Sequence, residues 1–164
     1  MGESRLSRLL RLAFIPAFAI GVSVSAYAAD ASGRGRPSMH VSEFGRYTLR
    51  ANAISSDVLA ASTAKRHGID QASDRGVLNL VILERQGKRQ VTVRAEVTAS
   101  KHNLLGQSEE IEMRAIKENG RVSYLGTFGF APLRNFRFTI TALPVGASEP
   151  LKIEFEDRFV VRGR

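Results

Sequence analysis

Residues 109–130 read EEIEMRAIKENGRVSYLGTFGF, two alternating runs joined by Asn119-Gly120. In the first run Ile111, Met113 and Ala115 alternate with Glu110, Glu112 and Arg114; in the second, Tyr124, Gly126 and Phe128 share one phase. Period-two alternation marks a half-buried strand, and Asn-Gly favours a two-residue type I′ hairpin because both residues tolerate positive φ. That turn sets Ala115 opposite Tyr124, Met113 opposite Gly126 and Ile111 opposite Phe128, so both apolar sets face one way. A slip of one residue would turn one set to the opposite face, and this penalty specifies the register.

The same period extends in both directions. Val91, Val93, Ala95 and Val97 alternate with Thr92, Arg94, Glu96 and Thr98 in one strand. A turn at Gln86-Gly87 sets Ile82 against Val91 and Leu80 against Val93. The run VLNLVIL over residues 77–83 is apolar almost throughout, as a central strand covered on both faces requires. Downstream, Phe136, Phe138, Ile140 and Ala142 form one stripe. Leu151, Ile153 and Phe155 begin another, resumed by Phe159 and Val161, and Asp157 interrupts it, which predicts a local bulge. A strand over about residues 44–54 alternates less cleanly. Between it and the apolar run, Ser56 and Asp57 are expected to cap a short helix, with Lys65, Arg66 and His67 in its last turn and Gly68 as its stop.

Seven strands result, beginning near residues 44, 77, 90, 109, 121, 135 and 151. They predict an all-β fold, a seven-stranded antiparallel immunoglobulin-like β-sandwich with one short helix between the first two strands. A small β-barrel is the alternative, since sequence pairs neighbours without showing closure.

The chain has 164 residues, a net charge of +8, no Cys and no Trp. Lack of Cys excludes disulfide scaffolds, thiolate zinc sites and cysteine nucleophiles. Arg5, Arg8 and Arg11, an apolar stretch from Leu12 to about Val24, and Ala26-Tyr27-Ala28 have the order of a secretory signal. Residues 1–28 are therefore expected to be cleaved, with a retained membrane anchor as the alternative. Residues 29–39, rich in Gly, Ser and Arg, read as a flexible leader, and residues 40–164 as a single β-sandwich domain. Cleavage leaves 136 residues with a net charge of +6. A periplasmic chain of that size buries about two-thirds of its unfolded surface, enough for one core without staples.

The order of RYTLRANAISSDVLA, RGVLNLVILE, NLLGQ and YLGTFGF resembles the exported proteobacterial family catalogued as domain of unknown function 4426. The likeness runs from about His40 to Val161, and its most specific piece is Asn103-Leu104-Leu105-Gly106-Gln107 followed by the Asn-Gly hairpin and the Tyr124–Phe130 strand. It implies a periplasmic β-sandwich and supplies no catalytic residues.

The chain offers little local chemistry. His40, His67 and His102 stand 27 and 35 residues apart without metal-binding spacing, and read as surface residues. Gly33-Arg34-Gly35 follows no strand and precedes no helix, so it is no phosphate loop; nor is there a G-x-S-x-G elbow. Glu109, Glu110 and Glu112 read as a solvated strand face rather than as general acids. Tyr124, Phe128, Phe130, Phe136 and Phe138 share the apolar phases of their strands and read as core, not as a stacking platform. No catalytic residue, cofactor or metal site is assigned.

The candidate interaction loop is Asn103, Leu104, Leu105, Gly106 and Gln107, where two adjacent large apolar residues occupy a connection between strands. One leucine is expected to plug the open end of the sandwich while the other meets solvent or a partner, with Leu105 assigned to the contact surface. The expected function is a non-enzymatic protein-interaction or accessory module of the cell envelope, binding another envelope protein through this loop or by strand addition at a sheet edge. The alternative is a small-ligand-binding or hydrolytic envelope protein with a site assembled from distant loops. The basic balance, with Lys65-Arg66-His67 and Lys88-Arg89, predicts at most weak attraction to anionic envelope surfaces, and export argues against nucleic acid.

Overall fold

The structure, a computed structural model, describes residues 38–131 and 134–160. The expected signal segment, Gly33-Arg34-Gly35, most of the leader and Val161 lie outside these residues. Among the described residues no helix is long and apolar enough to cross a membrane.

Among the described residues ten antiparallel strands form two sheets. In chain order they are β1 (His40–Phe44), β2 (Tyr47–Ser55), β3 (Arg75–Gln86), β4 (Arg89–Thr92), β5 (Ala95–His102), β6 (Ser108–Glu110), β7 (Arg114–Glu118), β8 (Arg121–Gly129), β9 (Arg134–Pro144) and β10 (Leu151–Phe159). One sheet has the order β1-β2-β3-β8-β7, with β4 beside the far end of β3; the other has the order β10-β9-β5-β6. Neither sheet closes on itself, so the fold is an all-β sandwich and not the barrel.

The strand count rises from seven to ten because β1 lies ahead of the expected first strand and two expected strands are each divided. Gly45 at φ +58° opens a turn that separates β1 from β2. At Val93-Arg94 the chain leaves the first sheet after β4 and enters the second as β5. It returns between β6 and β7, across Ile111–Met113. Strands that change sheet keep their apolar side chains turned to the shared interior: the alternation runs unbroken from Val91 to Val97 through the first crossing, and Ile111 and Met113 keep it across the second, which hides both.

The register carries a parallel lesson. Ala115 lies opposite Tyr124 as expected, and Asn119 and Gly120 both have positive φ, +50° and +73°, as a type I′ turn requires. Ile111 does not pair with Phe128; its N–H donates instead to Ala99 of the second sheet at 2.9 Å. The β3–β4 hairpin turns at Gly87-Lys88, one position later than expected, and Glu84 rather than Ile82 faces Val91. The offset of two residues preserves which face each side chain occupies.

The sandwich interior is apolar, with Leu49, Leu78, Leu80, Ile82, Phe138 and Ile140 wholly buried. Phe128, Phe130, Phe136, Phe155 and Phe159 complete an aromatic cluster around Phe138, so the aromatic stripe is core. The outer face of β3 is covered at its start, where Val77 packs with Ala64 and Ile69. Ala64 belongs to α1 (Ala61–His67), which Gly68 ends at φ +60° with its N–H on the Lys65 carbonyl. The expected cap is corrected: Ser56 lies in a 3-10 turn (Ser56–Val58), not at the start of α1. Its buried Oγ accepts the Ala72 N–H at 3.0 Å and donates toward the Asp70 carbonyl at 2.9 Å. A buried hydroxyl is satisfied best by such fixed backbone partners.

The crossing into β5 is held from the opposite sheet. The Tyr124 hydroxyl accepts the Ala95 N–H at 2.6 Å and lies 3.0 Å from the Ala95 carbonyl, to which it donates. Tyr124→Phe leaves both groups of Ala95 without this partner, and is expected to lower unfolding free energy by about 1–3 kcal/mol. Urea denaturation checks the value.

Candidate functional site

The phase of β5 places Ala95, Val97, Ala99 and Lys101 on its inward side, and the burial follows that phase. Lys101 is the anomaly: a lysine only 6% exposed at the end of a core strand. Its Nζ donates to the Gly129 carbonyl, lies 5.6 Å from the Phe128 ring centre and 5.1 Å from that of Phe136, and meets Glu109 Oε2 at 3.0 Å. Aromatic faces and a carbonyl dipole both favour a cation held there. Glu109 stands on β6, whose three residues are all exposed, and approaches from the solvent side. Glu110 and Glu112 are also exposed.

The five residues after β5, Asn103 to Gln107, form a tightly fixed loop. Asn103 Oδ1 accepts the N–H groups of Leu105 and Gln107, each at 3.0 Å, while Asn103 Nδ2 donates to Gln107 Oε1 at 2.6 Å. Two backbone bonds close the loop, Asn103 N–H to the Gln107 carbonyl and Gly106 N–H to the Asn103 carbonyl. Gly106 sits at φ +79°, where a side chain would be strained. Short side chains that bond their own backbone in this way replace a missing strand partner.

At the tip of this loop Leu104 is 81% exposed and Leu105 82%. The expectation that one of them plugs the sandwich is therefore wrong. Phe130, Phe136 and Lys101 are themselves buried at that end, and the hydrogen bonds of Asn103 hold the leucines outward. Beneath the loop lies a cavity of about 400 Å³ bordered by Lys101, Asn103, Leu105, Gln107, Phe130 and Phe136. The structure thus brings the whole Asn103–Gln107 loop together with Lys101 and Glu109. Lys101 was legible in principle, since it continues the inward phase of Val97 and Ala99.

The histidines take separate partners. His67 lies 3.8 Å from Glu118, and His102 lies 3.0 Å from Ser100 Oγ. His40 stacks on Phe155 with ring centres 4.1 Å apart, and its Nε2 lies 3.3 Å from Asp157. Here the expected bulge is corrected: β9 and β10 pair without interruption from Leu151 to Phe159. Asp157 keeps the inward phase and is accommodated by His40 on β1, across the sandwich.

Burial pushes the Asp157 carboxyl above the ordinary aspartate value, with His40 and the Ala53 N–H opposing in part. A carboxyl raised on folding weakens the fold once ionised: its cost is absent below the unfolded value of 3.8 and complete above the folded one. Asp157→Asn removes that dependence. Between about pH 3 and pH 6 the melting temperature of Asp157→Asn should therefore rise relative to wild type. Thermal melts across that range check the sign.

A crystal structure of a DUF4426 family protein from Pseudomonas aeruginosa PAO1 matches with a TM-score of 0.65 at 26% identity, covering 76% of this chain and 97% of that one. FetP from uropathogenic Escherichia coli strain F11, recombinantly expressed in the periplasm, matches with a TM-score of 0.57 at 12% identity, over 78% of this chain and 97% of its own. A copper-bound variant of FetP gives 0.54 at 11% identity, over 77% and 97%. At these identities the FetP likeness is one of fold. No curated protein matches the chain. The family model described as Domain of unknown function (DUF4426) matches residues 41–161, and the chain belongs to that family.

Proposed function

We propose that this chain is an exported, non-enzymatic accessory module of the bacterial cell envelope that binds another protein through its Asn103–Gln107 end. The observation that carries this reading is the adjacent pair Leu104 and Leu105, turned into water on a loop that five hydrogen bonds hold in place. Single exposed apolar residues are ordinary. Two neighbours on a fixed loop differ, because a preorganised apolar tip loses little conformational entropy when a partner covers it. Periplasmic export is supported by the signal-like order of residues 1–28 and by the fold shared with FetP, which was expressed in that compartment.

The enzyme and small-ligand reading has less behind it. It calls for a cavity lined by several histidines and carboxylates. The cavity beneath the loop is bordered by one carboxylate, Glu109, and that at the opposite end, of about 270 Å³, by Arg46, Tyr47 and Glu149.

A photo-crosslinking amino acid in place of Leu105, introduced in the native envelope, tests the proposal. A discrete adduct that is absent when the same group replaces Val145, exposed at the other end of the sandwich, is the expected result. Equal labelling from both positions would count against a specific surface.

A further inference from the structure

We infer that Lys101 is the anchor of a carboxylate-binding site, and that the protein partner presents to it a carboxylate flanked by an apolar side chain. The inference rests on the reading of this end as a protein-binding surface and names the chemistry of what binds there.

Three observations converge on it. First, the charge is built in. Lys101 is 6% exposed, and its Nζ is set by the Gly129 carbonyl and by the rings of Phe128 and Phe136. Holding a lysine beneath the surface calls for a compensating anion, because a buried charge is tolerated when paired and hydrogen-bonded. Second, the anion present is of a replaceable kind. Glu109 reaches Nζ at 3.0 Å from an exposed position, its own side chain 61% accessible, on a three-residue strand. An incoming carboxylate that takes the place of Glu109 keeps Lys101 paired while Glu109 gains full solvation, so the exchange is one ion pair for another. Glu109 also shows that the seat accepts a carboxylate at charge-assisted hydrogen-bond distance. Third, the surroundings are apolar on one side and amide-bearing on the other. Phe130, Phe136 and Leu105 border the cavity of about 400 Å³, and Asn103 and Gln107 border it too. The depression is open to solvent, so a partner's carboxylate and a flanking apolar side chain reach it from outside without a rearrangement of the fold. Leu104 and Leu105 extend the apolar contact outward along the partner.

Glu109 is then an internal competitor. It occupies the Lys101 seat while the partner is away and swings into solvent when the partner's carboxylate arrives.

The test uses three capped peptides, followed through the amide signals of Gly106 and Gly129: acetyl-Leu-Phe with a free carboxylate, acetyl-Leu-Glu-Phe-amide, and acetyl-Leu-Phe-amide, which has no carboxylate. Binding by one or both of the first two and not by the third is expected, and the stronger of the two tells whether a chain terminus or an acidic side chain is read. Glu109→Gln should tighten carboxylate binding about three- to fivefold, the reach of a partly exposed ion pair. Glu110→Gln, which removes the same charge one residue along β6, should leave it unchanged. Lys101→Met should weaken it about tenfold or more, while the thioether keeps contact with the two rings. The inference is overturned if the amide control binds as well as the acids, or if Glu109→Gln and Glu110→Gln act alike. Peptide binding that fails while the Leu105 adduct persists would remove the carboxylate anchor and leave the protein-binding surface standing.

Discussion

Replacing Phe138 by Ala is expected to destabilise the domain by about 3–5 kcal/mol, the usual loss when a buried aromatic is truncated to a methyl group. Phe138 is wholly buried and stands at the centre of the aromatic cluster, with ring centres 5.1 Å from Phe128, 5.2 Å from Phe155, 6.1 Å from Phe159 and 6.4 Å from Phe136. Its position explains the size of the effect. In the β9–β10 register Phe138 faces Phe155, and in the β5–β9 register it faces Lys101, so one side chain joins three strands of the second sheet to Phe128 of the first. Rigid neighbours on several strands collapse poorly into a void, which places the cost at the upper part of the range. Against a domain stability of about 5–15 kcal/mol the loss is large. Urea denaturation should show a lower midpoint with the slope preserved. Val145→Ser, at an exposed position, should change stability by no more than about 0.5 kcal/mol.

Gly126→Val is expected to be comparably severe for the opposite reason. A Cβ at Gly126 would lie 2.5 Å from Ile111 Cγ2, 2.7 Å from Met113 Sδ and 2.9 Å from the Glu112 carbonyl oxygen. The last is backbone and cannot rotate away. These three residues are the segment that carries the chain from β6 in one sheet to β7 in the other, and it passes directly over Gly126. Any side chain there pushes the crossing off the sandwich and lifts Ile111 from the core, where it is 3% exposed. Overpacking costs about 1–3 kcal/mol when side chains absorb it and more when backbone must move, so a loss of about 3 kcal/mol or more is expected. Gly129→Ala, where an added Cβ meets nothing within 4 Å, is the matching control. If both glycine variants melt together, the close passage over Gly126 is not what the fold depends on.

These two positions show what the sequence made readable. The inward phase of Phe136, Phe138 and Ile140 is visible without any structure, because a strand with one buried face must alternate. The pairing of Ala115 with Tyr124 follows from the Asn-Gly turn alone. The crossing over Gly126 does not follow, since Ile111 and Met113 keep their inward phase whether they pair with β8 or pass above it. The division at Val93-Arg94 is hidden for the same reason. Local periodicity reports which side faces the core and is silent about which sheet supplies the neighbours.

The candidate site divides along the same line. Asn103–Gln107 stood out because adjacent leucines in a connection break the usual polar composition of loops. Their direction did not, because the side-chain bonds of Asn103 that turn them outward depend on Gln107 being folded back beside it. Lys101 and Asp157 look like interruptions in apolar stripes; the phase rule alone singles out no role for Lys101 and reads Asp157 as a bulge. What it lacked was the compensating group for each: Glu109 across the β5–β6 pair, and His40 from the opposite sheet. Polar residues in an inward phase are better read as a demand for a partner elsewhere in the chain than as a break in the strand.

Under the proposed function Leu104 and Leu105 serve contact with a partner and do not serve the fold. This is tested by the double variant Leu104→Ser/Leu105→Ser, carrying the photo-crosslinking group at the exposed Ser108 beside the loop and measured for both unfolding and adduct formation in the native envelope. An unchanged unfolding midpoint together with loss of the adduct is the predicted result. A lowered midpoint, or an adduct that survives both substitutions, would contradict it.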